Sequence, residues 1–162
     1  QAGVGGFAAA VAAYFWQQLG ADRPVLICVE PTGASCVLDS IERGHRHTLT
    51  SVDSLMGGLC CGEVSLTAWE ILQRAIDFSI AIPDVSVPPV MHELRMPRPG
   101  DPSIIAGESG AAGVAALRWL ALDEDARREV GLDRNARVLA FITEGATDPL
   151  RYRELTSVSG FA

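Results

Sequence analysis

At 162 residues, with 48% hydrophobic residues and a net charge of −7, the chain is long enough for one domain with a real core. The acidic balance and the lack of any basic run argue against nucleic-acid binding through phosphate neutralisation. No apolar run approaches the ~20 residues that span a bilayer, and no secretory leader is recognisable, so a cytoplasmic protein is expected.

The chain opens on Gly3-Val4-Gly5-Gly6, a glycine turn that runs straight into an alanine-rich helix over Phe7 to Leu19, stopped at Gly20. Val25 to Val29 is a short continuous apolar run, the pattern of a buried parallel strand, closed by Glu30-Pro31. Residues 34–43 read as a helix ended by Gly44, and His45 to Glu63 as a loop centred on a glycine-cysteine stretch. Ser65 caps a helix expected to run through Phe78, with Trp69, Leu72 and Ile76 on one face.

Asp84 to Pro89 reads as a break, and Val90 to Met96 as a short helix stopped by Pro97. A second strand is expected at Ser103 to Ala106, a helix at Ala112 to Leu122, and an acidic-then-basic helix at Asp123 to Val130. A third strand is expected at Ala136 to Ile142 and a last helix at Leu150 to Ser157. Helix–strand alternation without a dividing linker predicts a single α/β domain over 1–162. Its sheet would be open and mainly parallel, with helices on both faces in three layers.

Three loops at expected strand ends carry glycine, hydroxyls and acids: residues 3–8, 107–111 and 143–149. A glycine turn feeding a helix presents backbone N–H groups and a positive dipole end to an anion. Gly3-x-Gly5-x-x-Ala8 also fits a dinucleotide fingerprint, with Glu30 where a ribose-binding acid belongs. That pattern leaves a Rossmann-like module for NAD or another nucleotide open as an alternative. Gly107-Glu108-Ser109-Gly110-Ala111 imitates a nucleophile elbow, but His45, His47 and His92 all precede the serine, against the order of that fold. Glu108 and Ser109 would otherwise cap the following helix. Thr143, at the end of its expected strand, would turn a hydroxyl into the cleft.

All 13 basic residues are arginine, so a chain without lysine offers no amine for imine chemistry. Cys28, Cys36, Cys60 and Cys61 form no CxxC pair with companion histidines, and no metal site is expected. Cys28 reads as a buried hydrophobe; a bridge from Cys36 to Cys60 or Cys61 stays open beside free thiols.

Taken together, QAGVGGFAAAV at 1–11, VEPTGASCVLDS at 29–40, SLMGGLCCGEVS at 54–65, GDPSIIAGESGAAG at 100–113 and TEGATDPLRYR at 143–153 resemble the fold-type II pyridoxal-phosphate enzymes. Within them the resemblance is to the diaminopropionate ammonia-lyases. It implies that Gly3, Val4, Gly5 and Gly6 give backbone N–H groups to the cofactor phosphate. Thr143 would meet the pyridine nitrogen, where a neutral hydroxyl moderates the electron sink. Glu108 and Ser109 would line the other edge of the ring. The 54–63 loop would lie near the site entrance, where Cys61 could face Cys36, with a disulfide between them left open.

The implied reaction is an α,β-elimination that converts 2,3-diaminopropionate to pyruvate and ammonia, in a homodimer. The lysine that holds the cofactor belongs to the family's N-terminal half. This chain is therefore expected to be a C-terminal portion, truncated at its N-terminus and inactive alone. A threonine or serine dehydratase is the alternative within the same fold type.

Overall fold

The computed structural model describes residues 1–157. Their contacts gather into two compact units, Gln1–Ile82 and the residues from Pro83 onward. The helices and strands are α1 (Gly6–Leu19), β1 (Ile27–Pro31), α2 (Cys36–Arg43), α3 (Leu66–Ala75), β2 (Phe78–Ile82), α4 (Val87–Arg95), α5 (Glu108–Leu122), α6 (Glu124–Glu129) and α7 (Pro149–Thr156).

In the first unit β1 and β2 pair in parallel, with Ile27 opposite Phe78 and Pro31 opposite Ile82. Parallel neighbours need a long crossover, and α2, the 45–64 loop and α3 supply it. α1 packs on α3, while α2 packs on both strands. Ala9, Ala12, Val37, Val64, Ala68, Trp69 and Leu72 form the centre of this core. Complete burial of Leu72 alone contributes about 2–3 kcal/mol. Trp69 is buried as expected of a core residue, whereas Trp16 and Trp119 are about half exposed.

β2 corrects the sequence reading, which carried the α3 helix through Phe78. The spacing of Trp69, Leu72 and Ile76 is helical, but the backbone turns extended at Ile76. Asp77 makes the junction. Its carboxylate accepts the Leu26 N–H at 2.8 Å and bonds from the two terminal guanidinium nitrogens of Arg23, at 2.6 and 2.9 Å. The N–H groups of Asp77 and Phe78 also donate to the Leu26 carbonyl. β1 itself begins two residues later than expected, at Ile27, and leaves Val25 exposed.

In the second unit α4 packs on α5 and α7, and α5 on α6. α4 starts at Val87 rather than Val90, because Pro88 and Pro89 occupy its first turn, where a missing N–H costs nothing. α5 starts at Glu108 rather than Ala112, so the second glycine-rich loop is the first turn of this helix.

The strands expected at 103–106 and 136–142 are not formed. No ladder partner for them lies among the described residues, and Ile104, Ile105, Val138 and Leu139 are exposed. A strand is a paired object, and an apolar extended run without neighbours stays a coil.

Candidate functional site

The glycine turn is held from several directions. Ala2 N–H donates to the Val29 carbonyl at 2.9 Å, so the chain enters the turn beside β1. Ser65 N–H donates to the Val4 carbonyl at 2.9 Å, and the Ser65 hydroxyl caps α3 by accepting from Ala68 N–H. Gly5 is the N-cap of α1 with φ of 87°, a left-handed conformation that favours glycine.

Space around the turn is uneven. A Cβ on Gly3 would lie 2.8 Å from the Gly58 carbonyl oxygen and 2.9 Å from Cys61 Sγ. A Cβ on Gly5 would lie 2.8 Å from Leu72 Cδ1, whereas one on Gly6 would meet nothing within 4 Å. The turn is thus packed at Gly3 and Gly5 and open at Gly6. No acid occupies the first turn of α1, and the glycine N-cap brings no side chain to it.

Other helices close their N-termini with protein acceptors. Asp123 caps α6 and Asp148 caps α7. Glu30 caps α2, with its carboxylate accepting the Val37 and Leu38 N–H groups at 2.8 Å each. This corrects the ribose-binding expectation: Glu30 is fully buried and its carboxylate is turned onto the protein's own backbone. Burial pushes its pKa up to about 7, although the Val37 and Leu38 N–H groups pull the other way.

In the second unit Glu144 does the same for α5. Its carboxylate accepts the Ser109 N–H at 2.7 Å, and its carbonyl accepts the Gly107 N–H at 2.9 Å. Gly107 and Gly110 make this approach possible: a Cβ on Gly107 would lie 2.4 Å from the Gly145 carbonyl oxygen, and one on Gly110 2.6 Å from that of Glu144. Glu108, half-buried, and Ser109, buried, are thereby stitched to the segment that carries the exposed Thr143.

The first unit holds Gly3, Val4, Gly5 and Gly6, and the second holds Glu108, Ser109 and Thr143. Of the histidines, His45 contacts the Arg43 carbonyl, His47 lies 3.8 Å from Asp39, and His92 is bonded to the Thr156 carbonyl at 2.7 Å.

The bridge left open between Cys36 and Cys61 is not formed; all four cysteines are free thiols. Each of the two meets Gly3 at a different atom. Cys36 Sγ lies 3.6 Å from the Gly3 carbonyl oxygen, and Cys61 Sγ crowds the Gly3 Cα. Desolvation pushes the thiols of both Cys28 and Cys36 up to about 12.

Sequence reasoning missed the capping roles of Glu30 and Glu144. Both are non-local: one acid reaches a helix six residues on, the other a helix that began 36 residues earlier in the chain. The faint signal was Gly107 itself, an N-cap residue that brings no side chain to its helix.

A packed glycine turn, open space at Gly6 and a helix N-terminus without an acidic side chain are features that suit an anion. The chain is 36% identical to the diaminopropionate ammonia-lyase of Salmonella typhimurium, over 96% of this chain and 40% of that protein. It is 35% identical to the same enzyme of Escherichia coli K12, with the same coverage. The chain therefore spans about 40% of the length of the curated relatives it matches.

Among solved structures, diaminopropionate ammonia lyase from Escherichia coli in complex with D-serine matches with a TM-score of 0.87 at 33% identity, over 96% of this chain and 40% of that one. The processed threonine deaminase isoform 2 of Solanum lycopersicum matches with a TM-score of 0.78 at 24% identity, over 98% and 43%, a likeness of fold alone. The fold is α/β, of the fold-type II class. Over residues 1–144 the sequence matches the model of pyridoxal-phosphate dependent enzymes, and the chain belongs to that family.

Proposed function

We propose that this chain is the cofactor-phosphate portion of a pyridoxal-phosphate-dependent ammonia-lyase that acts on 2,3-diaminopropionate and releases pyruvate and ammonia. The relatives at 35–36% identity carry that name, and the match runs over 96% of this chain. The observation that carries the reading is the glycine turn, backed by Val29, Ser65 and Leu72 and open at Gly6.

In this reading the backbone N–H groups of Gly3, Val4, Gly5 and Gly6 hold the phosphate, aided by the dipole of α1. Thr143 gives its hydroxyl to the pyridine nitrogen, which it cannot keep protonated as a carboxylate would. Glu108 and Ser109 line the other edge of the ring, their backbone fixed by Glu144. Bound pyridoxal phosphate supplies an electron sink for the carbanion formed on loss of the substrate α-proton. The chain holds no lysine, so the cofactor-bearing amine and the base come from the rest of a longer protein. The chain alone is inactive, and the whole enzyme is a cytoplasmic homodimer.

The test is to express the full reading frame that carries this chain and follow pyruvate release. With pyridoxal phosphate bound, 2,3-diaminopropionate should be turned over at least ten times more efficiently than threonine or serine. Preference for a hydroxy amino acid would move the assignment to a dehydratase. Binding of NAD in place of pyridoxal phosphate would sink it altogether.

A further inference from the structure

We propose that Glu30 and Cys36 are positioning residues for the glycine turn, holding the Gly3 peptide at the height where its loop meets a phosphate ester. The inference rests on the reading of that turn as the cofactor-phosphate site. Its evidence is a continuous set of contacts running from Glu30 through α2 and Cys36 to Gly3.

Glu30 is the penultimate residue of β1 and is fully buried. A carboxylate without water is tolerated only when its oxygens are satisfied, and the Val37 and Leu38 N–H groups do this at 2.8 Å each. Both donors lie in the first turn of α2, so the carboxylate fixes that turn against the strand. Cys36 is the first residue of the same helix and is itself fully buried. Its Sγ lies 3.6 Å from the Gly3 carbonyl oxygen, a weak donor on a strong acceptor.

Gly58 and Cys61 fill the space a side chain at Gly3 would need, so the residue is closely packed there as well. The preceding residue is tied to the strand, because Ala2 N–H bonds the Val29 carbonyl. Val29 is the direct neighbour of Glu30. Both tethers of the turn, the strand bond at Ala2 and the helix contact at Gly3, thus converge on Glu30. A shift of α2 by a few tenths of an ångström would be passed to Gly3 through the sulfur.

A residue that merely stabilises the fold would lower affinity for any cofactor form alike. A residue that positions the phosphate loop acts only on ligands that carry the phosphate. The experiment uses the full-length apoprotein that contains this chain, titrated with pyridoxal phosphate and with pyridoxal and followed by cofactor absorbance.

Wild type should prefer pyridoxal phosphate by at least a hundredfold. Glu30→Gln keeps the shape but turns an NH2 group toward one of two N–H donors. It should weaken pyridoxal phosphate about tenfold and leave pyridoxal within twofold. Cys36→Ala removes the sulfur, and with it a thiol contact to Glu30, but keeps both N–H donors of the α2 cap, and should weaken pyridoxal phosphate three- to tenfold. It carries the test if Glu30→Gln fails to fold. Arg43→Ala, on the exposed side of α2, should change neither ligand.

An unaltered preference in Cys36→Ala, or equal losses for both ligands, overturns this inference while leaving the phosphate site standing. Equal affinity of wild type for the two ligands overturns the phosphate reading itself, and the inference falls with it.

Discussion

The Glu144 carboxylate accepts the Ser109 N–H at 2.7 Å, and together with the Gly107 N–H bond to the Glu144 carbonyl it ties the start of α5 to the segment carrying Thr143. A helix N-terminus left without an acceptor loses part of its stability, so Glu144→Ala should destabilise the second unit by about 1–2 kcal/mol. Glu144→Gln, whose amide oxygen still accepts, should cost roughly half as much. Urea unfolding of the full-length apoprotein, followed by tryptophan fluorescence, checks both. Equal stability of the alanine variant and wild type would show that the bond contributes nothing.

Gly5 and Gly6 are neighbours with opposite demands. Gly5→Ala places a Cβ at φ 87° and 2.8 Å from Leu72 Cδ1. It should destabilise the first unit by about 1–3 kcal/mol from backbone strain and overpacking together. Gly6→Ala puts its methyl into open space and should leave stability within about 0.5 kcal/mol of wild type. If that space is where the phosphate sits, the same variant should lose pyridoxal phosphate affinity by tenfold or more. Thermal melting of the apoprotein and cofactor titration separate the two effects. A Gly6→Ala protein that binds the cofactor normally would remove the phosphate from this turn.

How much of this was legible in the sequence depended on the range of the interactions concerned. The glycine turn, α1, and the Ser65 cap of α3 are local, written in residues three or four apart, and the structure has them where spacing predicts. β2 was hidden because Phe78–Ile82 is a short apolar run that a helix or a strand can equally use. Its strand character comes from pairing with Ile27–Pro31 and from Asp77, which meets Arg23 across 54 residues of chain. The segments at 103–106 and 136–142 failed for the converse reason: their sequences are strand-like, but pairing partners are not among the described residues. Glu30 carried the right chemistry at the right strand end, and only the fold showed that its oxygens face α2.

The four thiols should divide into two classes. Cys28 and Cys36 are buried, with their thiols held up to about 12 by desolvation, whereas Cys60 and Cys61 are half-buried. Only thiolate reacts at an appreciable rate. At pH 8, native protein should therefore release two equivalents of thionitrobenzoate from this chain's cysteines, and two more after unfolding. Peptide mapping of alkylated protein should locate the fast pair at Cys60 and Cys61. Rapid labelling of Cys36 would show that α2 opens away from Gly3.

Glu30 gives the first unit a pH dependence of unusual sign. Its folded pKa of about 7 lies above its ordinary 4.5, because burial penalises the carboxylate more than two N–H groups repay it. Between these values the folded chain holds a proton that the unfolded chain has released. Stability therefore falls as pH rises through that window. The contribution is fully present below about pH 4.5 and lost above about pH 7, with an order of magnitude of roughly 3 kcal/mol. Cys28 and Cys36, the thiols beside this carboxylate, stay neutral throughout and do not compensate. Other groups also titrate, so the quantity to measure is the difference between wild type and Glu30→Gln in urea unfolding at half-unit steps from pH 5 to 8. Wild type should lose stability relative to the variant across pH 5 to 7, with no further change to pH 8. A difference that stays constant, or one that grows in favour of wild type, would mean that the Glu30 carboxylate is ionised in the folded chain throughout.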